Sequence, residues 1–246
     1  MLSKKQEKLV RLLRTKKGRN AEKLFVIEGS KLVEEAMAEE ITFHTCFATQ
    51  TWIENNTADL ECIVIDEREM QRISSLKNAP GVLAIVAFIQ FKKQTKSCDL
   101  SLLLDDIKDP GNLGTIIRTA ETFGVSQIIC SPETVDVYNE KVVQASMGSI
   151  FRLPLFVEDL THYIQQIPKA ETLYLSSLEG KNMYELELKT PAHILLGSES
   201  HGIKGSLLKM GKMHLKVPQM GKVESMNVSI AAAVILAEFR RRIGSK

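Results

Sequence analysis

Apolar and polar positions along the chain alternate between helical and strand periods. Leu9, Leu12 and Leu13 recur at helical spacing in the opening segment. FVIEG (25–29) is a short apolar run stopped by glycine, and Ser30 stands where it can cap a following helix, KLVEEAMAE. CIVI (62–65) reads as a strand. Asp66 then precedes EREMQRISSL, a helix start with acidic residues in its first turn. Asn78-Ala79-Pro80-Gly81 signals a turn, and VLAIVAF (82–88) a buried, β-rich strand. FKKQTKS (91–97) is short, polar and basic, the composition of a linker.

Beyond the linker the alternation continues. LSLLLDD is an apolar strand ending in acid. A glycine-containing loop, a helix, the strand SQIIC (126–130), a helix near 139–146 and strands near 171–176 and 192–196 follow. Strand–helix alternation of this kind predicts an α/β fold with a parallel sheet covered on both faces. The expected organisation is a smaller domain over 1–90, a linker over 91–98 and a parallel-sheet domain over 99–246. The last element, SMNVSIAAAVILAEFRRRIG, is apolar nearly all round from Val228 to Ala237. Such a helix is expected to bury most of its faces, in the core and against a second subunit. Ser225 or Asn227 is placed to cap it.

Composition narrows the class. The 246 residues are 44% hydrophobic and 25% charged, enough apolar material for a core. No run of about 18 apolar residues appears, so no membrane span is expected. The N-terminus lacks an apolar signal core, so a cytoplasmic location is expected. Cys46, Cys62, Cys98 and Cys130 form no CxxC pair, and the histidines are dispersed, so reduced thiols and no metal site are expected. The net charge of +2 hides an asymmetry. Lys4, Lys5, Lys8, Arg11, Arg14, Lys16, Lys17, Arg19, Lys23 and Lys31 stand against only Glu7, Glu22 and Glu28 in the opening segment. Arg240 to Arg242 form a second basic cluster. Clusters of this kind bind phosphate backbones by neutralising charge and releasing counterions. Lys16, Lys17 and Arg19 are the candidate RNA contacts of the first domain, with a solvated basic helix as the alternative.

Three segments carry candidate chemistry. D-P-G-N-L-G-T-I-I-R-T-A-E-T-F-G (109–124) follows a strand and opens a helix, at the carboxyl end of the sheet where ligands of open parallel sheets bind. It is neither GxGxxG nor a phosphate loop of the GxxxxGK[ST] type, which speaks against nicotinamide and nucleoside triphosphate chemistry. I-L-L-G-S-E-S-H-G-I (194–203) runs a strand into a glycine-bracketed loop, where Gly197 permits close backbone approach and Gly202 a positive φ. V-P-Q-M-G-K-V-E-S-M-N-V-S (217–229) is a loop ending at the apolar helix. Taken singly, each reads first as an ordinary loop or helix cap.

Taken together, the set resembles the SpoU-type RNA ribose 2′-O-methyltransferases of the SPOUT superfamily. The resemblance rests on D-P-x-N-x-G-x-x-x-R at 109–118, L-G-x-E-x-x-G at 196–202 and S-x-N-V-S at 225–229, with A-S-M-G-S and Leu153-Pro154 between the first two. It covers roughly residues 99 to 243. K-x-R…F-V-I-E-G (17–29) and P-G-V-L-A-I-V (80–86) resemble the substrate-binding domain of many members, whose fold is like that of ribosomal proteins binding kinked RNA.

The resemblance implies a domain with a deep trefoil knot, a homodimer, and transfer of the S-adenosylmethionine methyl group to a ribose 2′-hydroxyl. It implies ribosomal RNA, 23S above all, ahead of tRNA. Carried over residue by residue, the cofactor lies against Gly197, Val217 and Met226, with Leu196, Ser198, Gln219 and Met220 near. Arg118 is the implied catalytic residue and an RNA contact, with Asn112, Glu199, Ser225 and Asn227 orienting it, the loops and the nucleotide. Two positions depart from the usual pattern: V-P-Q-M stands where many relatives have I-P-M-x, and S-M-N replaces S-L-N. A different class, a non-catalytic RNA-binding or ribosome-assembly factor on the same fold, is the alternative, and calorimetry with S-adenosylmethionine separates the two.

Overall fold

A computed structural model describes every residue except 57–59, 93–97, 212, 223 and 244–246. In chain order the elements are α1 (Lys4–Leu13), α2 (Lys16–Glu22), β1 (Leu24–Glu28), α3 (Ser30–Ala38), β2 (Phe43–Ala48), α4 (Gln50–Glu54), β3 (Ile63–Val64), α5 (Glu67–Ile73) and β4 (Val82–Ala87). There follow β5 (Leu100–Leu104), α6 (Pro110–Thr122), β6 (Gln127–Cys130), α7 (Glu140–Ser146), β7 (Leu155–Val157), α8 (Leu160–Gln165) and β8 (Thr172–Asn182). The chain ends with β9 (Ala192–Leu196), α9 (Gly205–Leu208), β10 (Met213–Lys216) and α10 (Val228–Ile243).

The chain forms two compact units: Met1–Gln90 with Asp136–Arg152, and Phe91–Val135 with Leu153–Lys246. The first boundary falls at the start of the expected linker, most of which, 93–97, lies outside the described residues. Segment 136–152, expected in the second domain, belongs to the first unit. Its helix α7 packs on β1, and Arg152 pairs with Glu35 of α3.

In the first unit β4 is central, antiparallel to β1 on one side and to β2 on the other, with β3 a parallel edge beyond β2. The run VLAIV is fully buried, as a central strand requires. The helix expected after Asp66 is α5, and Asp66 caps it in a capping box with Glu69. Ser30 does not cap α3. Gly29, at φ 96°, is the cap residue, and the Ser30 hydroxyl instead accepts a bond of 2.7 Å from the Trp52 indole. Helix α1 is no free basic arm: Leu2, Val10 and Leu13 sit in the core with Phe47, Met70 and Leu83. The Arg19 guanidinium is buried, donating to Asp136 at 2.8 Å through Nε and to the Leu13 carbonyl at 2.8 Å through Nη1. The expectation of an RNA contact at Arg19 is therefore corrected, because a charge removed from water needs an internal partner and has found one. Lys16 and Lys17 remain exposed.

The second unit is a six-stranded parallel sheet in the order β10-β8-β9-β5-β6-β7. Its central strands, LSLLL and AHILL, are buried along their whole length, the pattern of strands covered on both faces. Helix α10 packs on α6 and buries Val228, Ala232, Ile235, Leu236 and Phe239. Its burial is less complete than the sequence suggests: Ile230 is 55% exposed. The terminal arginines also depart from expectation. Arg240 donates to the carbonyls of Phe123 and Gly124 at 2.5 and 2.6 Å and pairs with Asp99. Arg242 donates to the carbonyls of Tyr184 and Leu186 and pairs with Glu238, as does Arg241. Arg240 and Arg242 thus tie α10 to the connections around residues 123–124 and 184–186, and all three cations are engaged before any phosphate arrives. Among the described residues, no helix is long and apolar enough to cross a membrane, and no group of three or more His, Cys, Asp or Glu side chains is placed to hold a metal.

Candidate active site

The three segments meet at the carboxyl end of the parallel sheet. After β5 the chain turns at Asp109, whose carboxylate caps α6 by accepting the Asn112 N–H at 2.8 Å, with Pro110 as the first helical residue. This leaves the Asn112 side chain in the first turn, pointing out of the helix start. After β9 the loop from Gly197 folds back on itself: Ser198 and Gly202 exchange backbone bonds of 3.1 and 2.9 Å. Gly202 has φ +65°, and a Cβ on Gly197 would lie 2.1 Å from the Gly202 carbonyl carbon. The close approach expected at Gly197 is thus made by the loop's own backbone. After β10, Asn227 caps α10: its carbonyl accepts from the Ala231 N–H at 2.9 Å, and its side-chain oxygen from the Ser229 N–H at 2.9 Å and hydroxyl at 2.6 Å.

One amide joins the three. Asn112 Nδ2 donates to the Glu199 carboxylate, and Asn112 Oδ1 accepts from Asn227 Nδ2 at 3.0 Å. Only a side chain with both a donor and an acceptor can bridge this way. Partners 87 and 115 residues away in sequence are tied to the start of α6 by that one group.

Beside this bridge lies a cleft of about 530 Å³. Leu196, Gly197, Ser198, Val217, Gln219 and Met226 line it, together with Glu199 and Ser225. Met220 does not: its side chain is 96% exposed. Ser176 to Glu179 of β8 also wall the cleft, and the sequence reading misses them. Strand β8 pairs with β9 only through Leu175, and its register against β10 breaks between His214 and Leu215. The intervening residues are thereby released from the ladder on the cleft side. The available signal is positional, since LSSLEG ends a strand of a parallel sheet where ligands gather.

Arg118 lies on the same helix as Asn112 but six positions on, and its exposed guanidinium is not part of the amide bridge. That guanidinium has no hydrogen bond or ion pair to protein among the described residues, whereas those of Arg240, Arg241 and Arg242 of the same unit all have them.

Asp105, fully buried at the end of β5, supports the 197–204 loop from beneath. Its Oδ2 accepts the Lys204 N–H at 2.8 Å, and the Lys204 ammonium lies 3.1 Å from Glu133 and 3.5 Å from Asp105. Burial lowers the Lys204 pKa, but the Glu133 and Asp105 carboxylates outweigh it and hold the pKa above its usual value. Replacing Asp105 with Ala orphans the Lys204 N–H and removes half of the ion cluster. The expected cost is about 1–3 kcal/mol of stability in urea denaturation, and an unchanged midpoint and slope would show that the loop is held by other means.

Comparisons with known proteins bear on this geometry. Residues 99–237 match the SpoU rRNA methylase family, and residues 4–84 the MRM3-like substrate binding domain. The chain belongs to the SpoU rRNA methylase family. It is 30% identical to the 23S rRNA (guanosine(2553)-2′-O)-methyltransferase RlmP of Bacillus subtilis, over 93% of each chain. The AdoMet-bound rRNA methyltransferase of Sinorhizobium meliloti superposes with a TM-score of 0.87 at 28% identity, covering 100% of this chain and 97% of that one. A putative TrmH-family RNA methyltransferase of Porphyromonas gingivalis superposes with a TM-score of 0.85 at 33% identity, covering 98% and 99%.

As a SpoU methylase the protein is an RNA methyltransferase, and S-adenosylmethionine is its methyl donor. The cleft fits that group. Its volume is in the range of small-ligand sites, Leu196, Val217 and Met226 offer apolar walls for a ring, and Glu179, Glu199 and Glu224 add negative charge to its lining, which suits a ligand with positive charge at sulfur.

Proposed function

We propose that this protein methylates a ribose 2′-hydroxyl of ribosomal RNA, 23S rRNA ahead of tRNA, in the cytoplasm. The observation that carries the reading is the Asn112 amide bridging Glu199 and Asn227 beside the cleft, with the Arg118 guanidinium, unpaired among the described residues, on the same helix. The name of the Bacillus relative, an rRNA 2′-O-methyltransferase matched over nearly its whole length, supports the substrate class.

S-adenosylmethionine supplies an electrophilic methyl group. Gly197, Val217 and Met226, with Leu196, Ser198 and Gln219, hold it in the cleft. Asn112, Glu199 and Asn227 fix three loop ends relative to one another, so the cleft is preorganised before RNA arrives. Ser225, exposed at the cleft, is placed to meet the nucleotide. Arg118 stabilises the developing alkoxide and holds a neighbouring phosphate through its planar fork. A guanidinium, whose pKa exceeds about 12, does not serve as the proton acceptor. The decisive experiment maps 2′-O-methyl sites on rRNA with and without the gene, and again after the purified enzyme acts on unmodified RNA. A site that disappears with the gene and returns with the enzyme is expected, and an rRNA map identical in both strains overturns the reading.

The first unit is proposed to grip the RNA through its exposed lysines. Changing Lys16 and Lys17 to Glu is expected to weaken binding and reduce the dependence of log affinity on log salt, by up to about 0.9 per lost duplex phosphate contact. Filter binding across a salt series checks this, and an unchanged slope removes both lysines from the interface.

A homodimer and a deep trefoil knot in the second unit complete the proposal. The half-exposed Ile230 on α10 is an apolar group suited to a subunit contact. Sedimentation equilibrium at micromolar concentration is expected to give twice the chain mass of 27.5 kDa, and a mass of one chain removes the dimer.

A further inference from the structure

The first unit brings two thiols together. Cys46, buried on β2, and Cys62, partly exposed one residue before β3, place their sulfurs 2.7 Å apart. The parallel register pairs Phe47 with Ile63, which sets Cys46 and Cys62 opposite one another at the edge of the sheet. All four cysteines of the chain are present as thiols. Two thiol sulfurs at this distance are closer than ordinary non-bonded contact, and a disulfide bond is about 2.05 Å long. Bonding therefore asks for a shift of only about 0.7 Å.

We propose that Cys46 and Cys62 are a redox-active dithiol, which a hydroperoxide oxidises to a disulfide stapling β2 to the edge strand β3. The environments divide the roles. Cys62 reaches solvent, and its hydrogen bond with Cys46 lowers its pKa, so it carries the reactive thiolate. The same bond and burial raise the pKa of Cys46, which acts only as the resolving partner. The other two thiols are shielded: Cys130 is fully buried in β6, where desolvation pushes its pKa to about 12, and burial raises Cys98 as well.

The chemistry balances in two displacements. The Cys62 sulfur attacks one peroxide oxygen; the S–O bond forms, the O–O bond breaks, and the departing oxygen leaves as water with the Cys62 proton. The Cys46 sulfur then attacks the sulfenic sulfur; the S–S bond forms, the S–O bond breaks, and a second water leaves with the Cys46 proton. Two thiols give up two electrons, and hydrogen peroxide is reduced to two waters. In a reducing compartment the dithiol is the resting form.

The test treats the full-length protein with hydrogen peroxide and reads intact mass and cross-linked peptides. The expected result is a loss of about 2 Da, a linked peptide containing Cys46 and Cys62, and recovery of both thiols with dithiothreitol. Cys62→Ser is expected to abolish the loss, and Cys46→Ser to leave a Cys62 sulfenic acid that dimedone captures. If Cys46→Ser does not fold, the wild-type map and Cys62→Ser still decide. Unchanged mass under excess peroxide, oxygen added to Cys62 without a cross-link, or a disulfide through Cys98 or Cys130 would overturn the proposal.

Discussion

Replacing Arg118 with alanine is expected to reduce methyl transfer by about 10²- to 10³-fold, the size seen when one preorganised electrostatic donor is removed, while S-adenosylmethionine binds as before. Arg118 differs from its neighbours in what it lacks. Every other described arginine of its unit is tied to a carboxylate or to helix-end carbonyls. Arg118 has no such partner among the described residues, so its removal leaves nothing in the protein unpaired. The fold is therefore expected to keep its stability, and the loss to appear in kcat. Arg118→Lys keeps the charge but not the bidentate fork, so its rate is expected to fall between those of the alanine variant and the wild type. Single-turnover kinetics at saturating cofactor make the measurement. A near-normal rate for Arg118→Ala would sink the catalytic assignment, and an equal loss of cofactor affinity would move Arg118 into the binding site.

Arg118 also shows which parts of the molecule are legible in its sequence. The segments carrying Asn112, Glu199 and Asn227 stand out by residue type and order, because each sits at the carboxyl end of a strand or the start of a helix. Their meeting on one amide is not visible, since side chains 87 and 115 residues apart leave no periodic trace. The same limit explains the misread arginines. Arg19 looks like part of a basic patch until Asp136, 117 residues on, neutralises it. Arg240 and Arg242 look like a phosphate cluster until the carbonyls of residues 123, 124, 184 and 186 engage them.

Strands follow a similar rule. The buried runs of β4, β5 and β9 are plain in the sequence because both faces are covered. Edge strands β7 and β10, of three and four residues, are too short to show a period. Strand β2, FHTCFA, mixes polar residues into its exposed half and escapes notice, and with it the register that brings Cys46 to Cys62. Segment 136–152 reads as part of the second domain because it lies between two of its strands. Only its packing on β1 returns it to the first unit.

The second large effect belongs to Gly197. Changing it to alanine is expected to weaken S-adenosylmethionine binding by more than about 100-fold, a cost near 2.7 kcal/mol and within the range for overpacking. A methyl group there would stand 2.1 Å from the Gly202 carbonyl carbon and 2.3 Å from the Ile203 nitrogen, inside atoms that have no rotamer to give way. The loop must open, breaking the Ser198–Gly202 exchange and displacing Glu199 from the Asn112 amide. The strand behind it, AHILL, is buried along its length and need not move, so the loss is expected to fall on the cleft and not on the core. Gly205→Ala is the matched control: eight positions on, a Cβ meets nothing within 4 Å, and wild-type affinity is expected. Calorimetric titration of both variants, with circular dichroism to confirm the fold, makes the comparison. Equal affinities for the two would mean that the loop tolerates opening, and that the Asn112 bridge does not shape the cofactor cleft.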